Sequence, residues 1–179
     1  MILLCVYSTV CLYSYTKVYL YDENISSEST DPRRSINLSN AIIEEYSFIR
    51  KRTTINKAGK AAGSVYGWTQ VQRTHDGQII EKKRIITKRE YNSLFNNRDE
   101  SRHVVRQTRI SFLWNIQSFT IHVYKEPVSD VCILHAQVRS TPDHDEEVAI
   151  PPFLDVDKKL ITHSEEDEQY GAYHISLKN

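Results

Sequence analysis

The sequence predicts a mainly β domain with minor α content, a meander of antiparallel strands around one internal helix. Three observations carry that prediction. Eleven tyrosines, with Thr, Val and Ile spread through short runs, favour extended backbone. Several of those runs alternate in character with a period of two, as a strand with two different faces does. Asp76-Gly77, between two such runs, is a strong hairpin signal. A chain of 179 residues suffices for one domain with a full core, and only five Gly and five Pro exclude a low-complexity sequence.

Each element follows in order. Residues 1–16, MILLCVYSTVCLYSYT, are apolar up to Lys17, without a basic leader or a small-residue cleavage site. The run is too short to span a bilayer, and its alternating Val and Tyr suit a strand. Residues 17–179 are expected to form the domain proper. Asp22 to Ser39 is polar and punctuated by Asp-Pro, which reads as a loop. Tyr46 to Ile55 alternates, with Phe48, Arg50 and Arg52 on one side and Ser47, Ile49 and Lys51 on the other. After the turn region Asn56 to Gly63, Val65 to Thr74 and Ile79 to Ile86 form a hairpin about Asp76-Gly77.

Thr87 then offers a helix cap, Glu90 completes a capping box, and Ile86 with Tyr91 makes a hydrophobic staple. The helix is expected over Lys88 to Phe95. His103 to Leu113 and Gln117 to Tyr124 read as a second hairpin, and Cys132 to Arg139 as a further strand. The acidic loop Thr141 to Glu147 follows, then PPFLDVDKKLI as a short helix or turn and YGAYHISLKN as a closing segment.

Net charge is zero but unevenly placed. Residues 1–139 carry 20 Lys/Arg against 13 Asp/Glu, and residues 140–179 carry 3 against 10. The excess is densest from Arg50 to Arg109, with 15 basic residues against 5 acidic ones. Such a patch meets anions or docks on the acidic tail. Basic residues recur at alternate strand positions, which suits a sheet closed round a hydrated tunnel or an open sheet with that face in solvent. Cys5, Cys11 and Cys132 contain no paired motif, so neither a zinc ribbon nor a disulfide framework follows, and a cytoplasmic location is expected.

The succession RKRTT, GWTQVQR, IIEKKRIITKREYNSLF, RQTRISF, FTIHVYKEP, CILHAQV and PPFLDVDKKLIT resembles the CYTH domain of the triphosphate tunnel metalloenzymes. It is most similar to the C-terminal half of ATPase–CYTH fusion proteins such as the TRPL-translocation-defect proteins. Their YKEP turn corresponds to Tyr124-Lys125-Glu126-Pro127. The resemblance implies an antiparallel eight-stranded β-tunnel, here without the first strand's E-x-E-x-K signature. It implies triphosphate binding through Arg50, Arg52, Arg73, Lys83 and Arg109, with Glu81 as a candidate ligand for Mg²⁺ or Mn²⁺. Where the family carries further carboxylates, this chain has His122, His135 and Gln137. Hard divalent cations prefer oxygen donors, so the replacements point away from catalysis. Two histidines alone are a poor zinc site.

The expected function is therefore a weakened or inactive module for a nucleotide triphosphate, a polyphosphate or an inositol phosphate. The family relatives imply GTP and phosphoinositide headgroups, the latter on a peripheral membrane. Two alternatives stand beside it: a metal-dependent triphosphatase, and a structural or interaction fragment of a longer fusion protein. Nucleic acid is disfavoured, because aromatic and basic residues do not interleave on one stacking platform.

Overall fold

The computed structural model describes residues 10–21, 42–75, 78–129, 131–136, 148–160 and 165–178. Seven strands run in order: β1 Cys11–Tyr19, β2 Ile42–Ile55, β3 Ala61–Thr74, β4 Ile79–Ile86, β5 Val105–Trp114, β6 Gln117–Glu126 and β7 Cys132–Ala136. They form one antiparallel sheet in the spatial order β4-β3-β2-β1-β5-β6-β7. Among the described residues the sheet has seven strands and does not close, so neither an eighth strand nor a tunnel is seen there. The strand β1 runs through the boundary expected between residues 16 and 17. The loop Asp22 to Ser39, the Asp76-Gly77 turn and the acidic loop Thr141 to Glu147 lie outside the described residues, as does the end of the run expected over Cys132 to Arg139.

The helix α1, Lys88–Asn96, begins where the sequence places it. The Thr87 hydroxyl accepts from the Glu90 amide at 3.1 Å, and Ile86 and Tyr91 fall in one buried cluster. Two short helices were not anticipated, α2 Glu165–Gln169 and α3 Ala172–Ile175. Each is about one turn long, too short to show a helical period. The segment from Pro151, expected as a short helix or turn, opens with a turn in which the Leu154 amide donates to the Pro151 carbonyl at 2.9 Å.

The register divides the sheet into two faces. One, here the inner face, carries Tyr13, Tyr15, Lys17 and Tyr19 of β1 opposite Thr54, Arg52, Arg50 and Phe48 of β2. The outer face carries two apolar, covered patches. Val18, Ile49 and Ile86 pack under Tyr91 of α1, while Phe112, Phe119 and Ile121 pack under Val148 and Leu154. On the inner face, Tyr19, Phe48, Val71, Val105 and Tyr124 form a cluster under Ala172, Tyr173 and Ile175. The C-terminal helices therefore plug one end of the inner face.

The sheet is also strongly curled. β4 and β5 stand four strand spacings apart, about 19 Å if the sheet were flat. Yet Glu81 and Lys83 of β4 line the same cavity as Gln107 and Arg109 of β5. The inner face is thus a trough.

Candidate cationic site in the trough

The trough holds two adjoining cavities. One, of about 170 Å³, is lined by Tyr15, Lys17, Phe48, Arg50, Glu81, Lys83, Val105, Gln107 and Arg109. The other, of about 230 Å³, is lined by Arg50, Arg52, Val65, Tyr66, Gly67, Lys83, Arg84 and Ile85. Arg50 and Lys83 belong to both, so the two form one cationic groove.

Strand alternation explains the convergence. Arg50 and Arg52 are two apart on β2 and share a face. The residue opposite Arg50 is Gly67, where a Cβ would lie only 3.2 Å from the Arg50 Nε. A side chain at Gly67 would crowd the guanidinium, so glycine keeps the path across β3 open. Lys83 is paired with Glu81 on the same edge strand, and among the described residues Glu81 is the only carboxylate lining either cavity. Arg109 donates from Nε and Nη2 to the Gln107 Oε1 at 3.2 and 3.0 Å and lies 4.2 Å above the Tyr15 ring.

Lys17 is the residue that sequence reasoning missed. Its ammonium sits 3.9 Å over the Phe48 ring. Burial, and then the guanidinium charges of Arg109 and Arg50, lower its pKa to about 7, against a smaller opposing pull from Glu81. An amine held that low has lost water without gaining a sufficient anion. A signal existed: Lys17 is the only charged side chain before Asp22 and alternates with Tyr13, Tyr15 and Tyr19.

Of the expected phosphate-binding set, Arg50, Arg52, Lys83 and Arg109 come together with Glu81. Arg73 does not line either cavity; its Nη2 meets Glu168 Oε1 of α2 at 2.5 Å. Its strand and face were legible, but its carboxylate partner comes from a segment about a hundred residues away. His122 and His135 do meet, with ring centroids 4.3 Å apart. Burial, followed by the charge of Arg109, lowers the pKa of both, that of His122 to about 3. Both rings are therefore neutral near pH 7. Gln137 lies outside the described residues.

The donors present suit anions rather than a hard divalent cation. Among the described residues no group of three His, Cys, Asp or Glu side chains could hold a metal ion. Glu81 is engaged by Lys83, and two neutral imidazoles beside Arg109 offer no oxygen for Mg²⁺ or Mn²⁺. Guanidinium and ammonium groups on four strands can instead make charge-assisted hydrogen bonds to several oxygens of one polyanion. No family model, curated protein or solved structure matches the chain.

Proposed function

We propose that the trough binds a polyphosphate chain, such as the triphosphate of GTP or another nucleotide or the phosphates of an inositol headgroup, and turns it over slowly or not at all. The observation that carries this reading is the crowding of Lys17, Arg50, Arg52, Lys83 and Arg109 around two linked cavities that have, among the described residues, one carboxylate, already paired. Like charges so placed repel one another, and a bound anion relieves that repulsion. A linear polyanion spanning both cavities would meet Arg50 and Lys83 at their junction. In this reading the trough is the described part of an eight-stranded tunnel, and closure would take one further strand between β4 and β7. The curl that brings β4 and β5 around one cavity supports it. We place the module in the cytoplasm, a setting supported by the free thiols of Cys11 and Cys132.

The pseudoenzyme part rests on the donor set. Phosphoryl transfer to water needs strong charge stabilisation, commonly from Mg²⁺, and a positioned nucleophile. The described trough supplies cations but, among the described residues, lacks the carboxylates to hold a metal.

Calorimetry with tripolyphosphate, GTP and inositol hexakisphosphate, with and without Mg²⁺, tests the reading. Binding is expected without Mg²⁺ and should weaken at high salt. Arg50→Ala/Arg52→Ala should lower affinity at least tenfold, about 1.4 kcal/mol. Equal binding by parent and double variant would overturn the assignment, and turnover of about 1 per second or faster would overturn the pseudoenzyme reading.

A further inference from the structure

The trough has a second end, opposite the C-terminal plug, where two hairpin tips project on either side of β1. Leu12 pairs with Ile55 of β2 on one side and with Ile110 of β5 on the other. The β2–β3 turn therefore starts almost level with Leu12. The β5–β6 hairpin continues four residues further to Trp114, about 13 Å at strand rise. Both tips point out of the same end of the sheet.

Their chemistry differs and is complementary. The β2–β3 tip is basic and rigidly folded. Asn56 Oδ1 accepts from the amides of Ala58 and Lys60 at 3.0 and 2.9 Å, and Gly59 takes the left-handed conformation at φ 74°. This fold leaves Lys57 and Lys60 exposed, with no carboxylate partner among the described residues. No acidic residue occurs from Tyr46 to His75 or from Ser101 to Lys125, the stretches containing both hairpins.

The β5–β6 tip is apolar. Ile116 is fully exposed at its apex, Leu113 is half exposed, and Val10 is exposed where β1 enters the sheet at the same end. Asn115 and Ile116 both have positive φ, 47° and 65°. This primed turn favours Asn-Gly, and a β-branched residue in the left-handed region is strained by an amount of order 1–3 kcal/mol. The fold thus keeps an apolar side chain in water on a strained backbone, where glycine would be the easier residue.

We infer that this end of the sheet is a membrane-docking surface, with Ile116 and Leu113 entering the interfacial zone of an anionic bilayer while Lys57 and Lys60 meet its lipid phosphates and carboxylates. An anionic lipid surface is the occupant because it satisfies both tips together: apolar side chains at the deepest point, cations behind them and no acid within the sequence of either tip. Among the described residues no helix is long and apolar enough to cross a membrane, and the proposed attachment is through the two tips. The inference is independent of what occupies the trough.

The test is co-sedimentation of the full chain with phosphatidylcholine vesicles, alone or with phosphatidylserine at about a third of the lipid. Binding is expected to the mixture only and should fall as salt rises. Lys57→Ala/Lys60→Ala should weaken it about 25-fold, at roughly fivefold per lysine. Ile116→Gly suits the turn and should leave the fold intact or more stable, while lowering vesicle affinity about tenfold. A tryptophan placed by Ile116→Trp should shift its emission to the blue on adding the mixed vesicles. The inference falls if the parent stays in the supernatant with the mixture, or if Ile116→Gly sediments as well as the parent. Protein saturated with tripolyphosphate should still sediment; if saturation abolishes sedimentation, the trough is the lipid contact and the tips are not. Tripolyphosphate binding by Ile116→Gly, measured separately, keeps failure here distinct from failure of the trough reading.

Discussion

Arg102 and Lys17 both stand near the ring of Tyr19, at 5.4 and 5.6 Å, yet the fold treats them in opposite ways. Arg102 lies 3.9 Å over Tyr173 and donates from Nη1 to the Tyr173 carbonyl at 2.8 Å and the Ser176 hydroxyl at 2.9 Å. Its Nε also lies 3.4 Å from Asp99 Oδ2. Lys17 faces an aromatic ring and other cations, and among the described residues its ammonium has no hydrogen-bond or ion-pair partner. A cation kept to hold a fold together is surrounded by acceptors. One kept against repulsion stores unfavourable energy that an anion can release. By that criterion the plugged end of the trough is structural, and the cationic groove is where we propose that an anion binds.

The largest effect should come from breaking the structural member. Arg102→Ala removes two hydrogen bonds, a partly buried ion pair and a stacking contact, so unfolding stability should drop by about 3 kcal/mol. Urea denaturation would show it. If the loss is negligible, the plug is held mainly by Tyr173 stacked on Tyr46 and the contrast weakens.

Lys17→Met should act with the opposite sign on stability. The folded state holds the Lys17 pKa at about 7, well below the usual lysine value. Between that value and the ordinary one the unfolded chain binds the extra proton, so the native contribution improves as pH rises. The variant should therefore be more stable than the parent at pH 7, by at least about 1 kcal/mol, and the difference should shrink toward pH 10. Anion binding should raise the Lys17 pKa and take up protons, so the parent's affinity for tripolyphosphate should fall from pH 6 to pH 9. That slope should flatten in Lys17→Met. Calorimetry in buffers of different ionisation enthalpy measures the proton uptake directly.

His122 sharpens the comparison from the neutral side. Its folded pKa is about 3, and in the unfolded chain it titrates near 6.5. Between those values only the unfolded state takes the proton, so stability falls as pH drops below 6.5. His122→Gln should reduce that acid loss by about 1 kcal/mol at pH 5, allowing for partial solvent screening. An unchanged pH profile would mean that the ring is freely hydrated.

The smallest effect is expected at the border of the two regions. Glu168→Gln weakens the tie between α2 and Arg73, a partly exposed pair that contributes less than about 1 kcal/mol. Affinity for tripolyphosphate should rise a few-fold as a carboxylate charge leaves the trough's edge. An unchanged affinity would place Arg73 outside the anion's reach altogether.

Local chemistry made much of this legible in advance. The Thr87 cap and the Ile86–Tyr91 staple need only neighbouring residues, and α1 begins where they place it. Arg50 and Arg52 share a face because strands alternate, whatever else the chain does. A resemblance carried Lys83 and Arg109 into the set, and curling of the sheet brings them to one cavity. The single charge of Lys17 inside an apolar run could have been noticed, but its partners could not.

What the sequence determined by itself was the set of strands, the helix start and the sign of charge on one strand face, because these depend on spacings of two to four residues. Tertiary structure alone decided that β1 would lie between β2 and β5 and seat Lys17 among Arg50 and Arg109. It also decided that Glu168 would take Arg73 from the groove. Those outcomes depend on register and sheet curvature, which are set by packing over the whole sheet: the inner cluster under α3 and the outer ones under α1 and Leu154. No local spacing encodes them.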